Sequence, residues 1–328
     1  MFDHGYALLI GVNQSEQARL ALPTVANDII ALKGILTDPR YCGYLPDNVK
    51  VVTGSDATRG GILESLFWLK QKLQADTSEE QTAVVYYSGH GHVEPNGDAF
   101  LLPYDVGRPL AQKSLPARDF AEQIQQIQPR RLLTVLDCCH AAAMNVKDAE
   151  PDELSPLAVT SQSKGFAELA AGQARAILSS STGTQESYVR SDGKMSVFTY
   201  HFVDALLGRA AAPGASAVTV AQVMDHVGEH VPRTAQAQLG AAQQPFFHYD
   251  GTAFPIALVL GGAGIAKGDT SPDPLVVVGA NLDIKVLKGK ATNVDAEVGQ
   301  RGAHIHATAT LGTAEQGSDF TNVKLKLD

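Results

Sequence analysis

The chain has 328 residues, enough for one large domain and a smaller one, and its apolar share of 44% supports a full core without covalent staples. Its formal charge of −9 is spread without long single-sign runs, which argues against a nucleic-acid backbone as main partner. No window reaches the roughly 18 apolar residues of a membrane helix, and the opening MFDHGYALLIGV lacks the basic start and cleavage site of a secretory leader. Three cysteines, two of them neighbours, make no disulfide framework. A cytoplasmic protein is expected, with neither nucleic acid nor membrane as partner.

In chain order, short apolar and β-branched runs alternate with segments of helical period. Strands are expected at Ala7 to Val12, Val49 to Thr53, Thr82 to Ser88, Leu132 to Asp137 and Ala176 to Ser180. Between the first two lies a helix over 25 to 37, with Ile29, Ile30, Leu32, Ile35 and Leu36 on a broad apolar face. The next helix, 59 to 74, follows Thr58 as N-cap. A shorter one near Phe120, Ile124 and Ile127 leads into the fourth strand, and two later helices open on Ser196 and Thr219. This alternation predicts an α/β sandwich with a mainly parallel sheet over residues 1 to 259.

Two stretches break the rhythm. Residues 141 to 174 are too long and irregular for an ordinary connection, and such loops are usually functional. Residues 260 to 274 carry the Gly, Pro, Ser and Asp mix of a linker. Beyond it, residues 275 to 328 show period-2 alternation, which predicts a small antiparallel β-rich accessory module.

Ligands of open α/β sheets gather at the carboxyl ends of the strands. The third strand here runs into Ser88, Gly89, His90, Gly91 and His92, and the fourth into Asp137, Cys138, Cys139 and His140. If the two strands are neighbours, His90 and Cys139 project from one edge, as a thiol nucleophile and its base require. An imidazole within hydrogen-bond reach lowers the thiol pKa from about 8.5 or takes its proton during attack. Glycine lets backbone approach a substrate closely, so the N–H groups of Gly91 and Cys139 are candidates to face a developing oxyanion. Strand alternation turns Cys138 inward as a packing residue.

The pair YSGHG (87 to 91) and DCCH (137 to 140), with the histidine at 90 and the cysteine at 139, resembles the caspase-like cysteine proteases, specifically their metacaspase and bacterial orthocaspase branch. ALLIGV, LPYD (102 to 105) and QQPFFHYDGTAFPIAL extend the likeness over roughly residues 5 to 250. The resemblance implies a caspase-like sandwich and a His90/Cys139 dyad, since the nucleophile of that branch directly precedes a histidine. It implies cleavage after Arg or Lys, with an acidic pocket whose positions match Asp28, Ser88 and Asp137 and, where many relatives have cysteine, Val25. Two carboxylates sharing a partly dry pocket repel until a guanidinium satisfies both, which favours Arg. Partners on this reading are protein or peptide substrates with a basic residue before the scissile bond.

Three features depart from the branch. Ala141 and Ala142 stand where Ser-Gly is common. No cofactor is required; calcium, often needed by metacaspases, finds one ligand-like residue in Asp105 and no matching set. The C-terminal module lies outside the likeness. Two other readings stay open: a zinc protein using His90, His92, His140 and the paired cysteines, and a catalytically silent caspase-fold scaffold that binds partners through its β module.

Lys147, Lys164 and Arg175 lie in or beside the long segment, where family members are often processed by their own activity. By analogy with bacterial caspase-like effectors of defence or regulated cell death, residues 275 to 328 are expected to answer an upstream sensor protein or a small signalling nucleotide, or else to cover a sheet edge.

Overall fold

A computed structural model describes residues 2–94, 96–107, 113–138, 174–182 and 185–262, and strands at 284–287, 291–298, 311–314 and 320–327. The chain divides into two compact units, Met1–Asp269 and Thr270–Asp328.

In the first unit the described elements run β1 (Gly5–Gly11), α1 (Thr24–Thr37), β2 (Val49–Thr53), α2 (Arg59–Ala75), β3 (Thr82–Gly89), β4 (Gly91–Val93), β5 (Ala99–Leu101), β6 (Leu115–Pro116), α3 (Ala117–Gln125) and β7 (Arg131–Cys138). They continue with β8 (Arg175–Ser179), α4 (Val197–Asp204), β9 (Ala217–Thr219), α5 (Val220–Leu239), β10 (Phe246–Asp250) and β11 (Pro255–Leu258). Six strands form the central sheet in the order β10-β8-β7-β3-β1-β2. All its pairs are parallel except the edge pair of β10 with β8. The five expected strands and the helices between them are present, and the parallel α/β class holds.

Alternation along the strands sorts two cores. Leu8, Ile10, Val85, Tyr87, Leu136 and Cys138 share one core with Ile62, Leu66 and Leu69 of α2 and Phe120 and Ile124 of α3. The intervening residues, among them Leu9, Tyr86, Val135 and Asp137, face the other way and are equally buried. There α1 lies so close to β1 that a Cβ on Gly11 would meet Ile29 Cγ1 at 2.5 Å. On the same face Tyr86 Oη and Thr199 Oγ1 of α4 are 2.6 Å apart.

The helix starts follow from their caps. Thr58 and Ser196 accept the N–H groups of Gly61 and Thr199, and Thr219 forms a reciprocal capping box with Gln222. α5 continues past Pro232 to Leu239, further than the TVAQVMDHVGEHV period alone reaches. The β4, β5, β6 meander and the edge strand β10 are not among the expected elements.

In the second unit, β12 (Ile284–Leu287) pairs with β14 (Leu311–Ala314), and β13 (Ala291–Val298) with β15 (Phe320–Leu327). Both pairs are parallel, which corrects the antiparallel expectation. Period-2 alternation reports a strand's two faces and carries no information on the direction of its neighbour. Among the described residues no helix is long and apolar enough to cross a membrane.

Candidate active site

β3 and β7 are adjacent and parallel, with Ser88 opposite Asp137 and Gly89 opposite Cys138. The two chains therefore leave the sheet side by side, one into His90 and the other into Cys139. Cys139 lies outside the described residues, as do His140, Lys147 and Lys164.

His90 is buried, and its carbonyl is fixed by the Leu102 N–H at 3.0 Å. Tyr87 Oη lies 3.1 Å from the same carbonyl and 3.2 Å from that of Leu102. Thus the tyrosine two residues inside the strand pins the turn that carries the imidazole. Gly89 leaves room for this: a Cβ there would stand 2.8 Å from Tyr87 Oη and 3.1 Å from Val12 Cβ. Gly89→Ala is accordingly expected to destabilise the fold by about 1–3 kcal/mol through overpacking. It also displaces His90, so activity should fall further than the loss of folded protein, as measured on the soluble fraction at a temperature where the variant is folded. Gly91 follows as the first residue of β4, opposite Leu101.

Cys138 is 1% exposed and belongs to the core beneath α2 and α3, where strand alternation turns it. Cys42 is buried too, and that burial holds its thiol well above the ordinary range. Both described cysteines are therefore packed rather than poised.

The opposite face of the same strand ends holds the acidic residues. Asp137, Ser88, Asp28 and Val25 are each fully buried. Asp137 Oδ1 accepts from Ser187 Oγ at 2.8 Å, and Oδ2 from Ser196 Oγ at 2.6 Å and Thr199 Oγ1 at 2.9 Å. Asp28 Oδ1 accepts the Ser196 N–H at 3.1 Å, so one serine touches both carboxyl groups, while Asp28 Oδ2 is buried without a hydrogen-bond partner. Asp28 lies beyond the first turn of α1, so the helix dipole does not account for it. Among the described residues no Lys, Arg or His forms an ion pair with either carboxyl. Burial first, then the charge of Asp137, pushes the Asp28 carboxyl well above its usual range, against the Ser196 N–H.

Several supports were not evident in the sequence. Gln243, 1% exposed, donates to Ser180 O at 3.0 Å and Ser187 Oγ at 3.2 Å and accepts the Tyr188 N–H at 3.1 Å. It locks the serine that feeds Asp137. Asn27 Nδ2 donates to Lys194 O at 2.7 Å, joining α1 to the segment that brings Ser196. Only Gln243 carried a signal, as part of the QQPFF stretch.

The remaining candidates are placed as follows. Asp105 Oδ1 accepts the Arg59 N–H at 2.8 Å and so caps α2. Arg175 opens β8 and donates to Ile127 O at 2.6 Å. His90, His92 and Cys138 form no group of ligand atoms within metal-binding reach among the described residues.

A six-stranded, mainly parallel sheet with helices packed on both faces is the architecture of a caspase-like fold. The profile of the caspase domain matches residues 4–252, and the chain belongs to that family of cysteine peptidases. Among solved structures it is similar to caspase-1 from Spodoptera frugiperda, at 15% identity and a TM-score of 0.47, over 81% of this chain and 92% of that one. No curated protein matches it in sequence.

Proposed function

We propose that the protein is a cysteine endopeptidase that cuts after Arg, and less well after Lys. The observation that carries this reading is the junction of Asp28 and Asp137 through Ser196, two buried carboxyl groups with no paired cation among the described residues, the second of them two residues before Cys139. A guanidinium donates two parallel hydrogen bonds and stays charged, which suits a pair of carboxyls better than an ammonium does. Ser88 and Val25 complete the pocket wall.

In this mechanism His90 takes the Cys139 proton as the thiolate sulfur adds to the scissile carbonyl carbon. The oxyanion faces the N–H groups of Gly91 and Cys139. His90 returns the proton to the leaving amine, and a thioester to Cys139 remains. Water, deprotonated by His90, then adds to the thioester carbon and expels the thiolate. No cofactor enters these steps, and calcium is assigned no role in them.

The test uses fluorogenic peptides ending in Arg, Lys and Asp, with and without calcium, over a range of pH. Arg peptides should turn over fastest and Asp peptides not at all; hydrolysis after Asp alone overturns the reading. The pH arm follows from Asp28. Its proton must leave when a guanidinium binds, so KM for Arg peptides should fall as pH rises through the elevated carboxyl value. Over the same interval, from the unfolded reference of about 3.9 upward, the empty protein loses stability because the native state holds that proton more tightly. Asp28→Asn should flatten both trends and raise KM about 10- to 100-fold, the scale of a charge-assisted hydrogen bond.

We further propose self-cleavage at Lys147 or Lys164; Arg175, anchored in β8, is a poorer scissile position. A role in bacterial defence or regulated cell death, switched by a sensor protein or a signalling nucleotide through residues 275 to 328, is supported by the likeness to caspase-like effectors and by the separate C-terminal unit.

A further inference from the structure

The helices behind the acidic pocket carry a second polar cluster that the peptidase reading does not use. His201 and Asp204 stand one turn apart on α4, and His226 on α5, which packs against it. All three are buried, at 7%, 3% and 8% exposure, an expensive arrangement for groups with only packing to do. Each offers a ligand atom within 4.8 Å of the other two.

Their partners orient them as metal ligands are oriented. His226 Nε2 lies 3.0 Å from Asp204 Oδ2, while the other carboxylate oxygen, Oδ1, lies 3.0 Å from Arg209 Nε. His201 Nε2 lies 2.7 Å from Thr234 Oγ1. His201 Nδ1 is buried without a hydrogen-bond partner; in the tautomer that donates Nε2–H to Thr234, it carries the lone pair a metal ion accepts. A second histidine, His230, stacks on His226 at 4.2 Å between ring centres and reaches the His226 carbonyl through Nδ1 at 2.9 Å.

We propose that His201, Asp204 and His226 form a site for a divalent transition-metal ion of the zinc class, joining α4 to α5. Two imidazoles and one carboxylate, with a fourth position for water, are a donor set that zinc accepts. Tetrahedral ligands at about 2.0–2.1 Å from the ion stand roughly 3.3 Å apart, so small rotamer adjustments bring the group into register. The Thr234 hydroxyl, by a hydrogen bond, and the Arg209 guanidinium, by an ion pair, stand where outer partners fix ring and carboxylate orientation. The ion would brace α4, whose first turn supplies Ser196 and Thr199 to Asp137.

The experiment uses the full chain with Cys139→Ala, so that the active-site thiol takes no metal, and reads zinc by calorimetric titration, cobalt by its visible absorption, and thermal unfolding. One equivalent of zinc should bind and raise Tm, with a cobalt spectrum of a four-coordinate N/O site. His226→Gln should abolish binding. Thr234→Val, which preserves shape and tests the site even if the histidine variant does not fold, should weaken zinc about 10- to 100-fold. No zinc binding by the Cys139→Ala chain, or binding unchanged by Thr234→Val and by a folded His226→Gln, overturns the proposal. None of these readouts depends on peptidase activity.

Discussion

Cys139→Ala and His90→Ala should each lower peptide hydrolysis by about 10^4- to 10^6-fold, and the double variant should be no worse than either alone, because nucleophile and base act as one unit. Both substitutions should leave the fold intact. His90 is held through its backbone carbonyl, which the variant keeps, and Cys139 follows the last residue of a strand whose pairing ends at Cys138. The measurement is kcat/KM on an Arg peptide, with circular dichroism to confirm folding. Under conditions that nick the parent, Cys139→Ala protein should also stay a single chain on a denaturing gel. Parental turnover by either variant would remove the dyad from the account.

Asp137→Ala should cost about 10^3-fold in kcat/KM for Arg peptides, the scale at which truncating one partner of a buried charge pair costs several kcal/mol. Its carboxylate also gathers the hydroxyls of Ser187, Ser196 and Thr199, so the alanine leaves three buried donors without their acceptor and Tm should fall. Asp137→Asn separates the two losses. It keeps the shape and an acceptor oxygen, should recover much of the stability, and should remain poor toward Arg for want of charge. Iodoacetamide should label all three proteins at one thiol, Cys139, since Cys42 and Cys138 are packed away. An Asp137→Ala protein that cuts Arg peptides at the parental rate refutes the pocket.

What was legible in the sequence follows from what short-range rules encode. Apolar runs and the caps Thr58, Ser196 and Thr219 act within a turn or two of chain, so the parallel strands and helix starts could be read directly. The inward turn of Cys138 followed from period-2 alternation, whereas the helices that cover it, α2 and α3, were set by the fold. The convergence of Asp28 with Asp137 came from resemblance alone, because it depends on Ser196, 168 positions away along the chain. Asn27 was invisible as a support for the same reason, and Gln243 showed only its place in the QQPFF stretch: polar residues gain meaning from the partners that the fold brings to them. The pairing direction of β12 to β15 was likewise beyond a pattern that reports faces only. Helix α5 outran its expected length because packing against α4 outweighs the one backbone bond Pro232 omits.

The order of strands has a corollary for any break introduced after β7. The chain up to that point brings β1, β2, β3 and β7 with both pocket acids, and the chain from β8 onward brings Ser187, Ser196, Thr199 and Gln243. Residues Leu132 to Leu136 lie against Arg175 to Ser179 in the middle of the sheet, so the fragments share a buried seam rather than a surface contact. Severed halves would stay clasped, and only together would they contain every group that surrounds Asp28 and Asp137. Made separately, each would bare the flank of an apolar strand and be prone to aggregate until it met its complement.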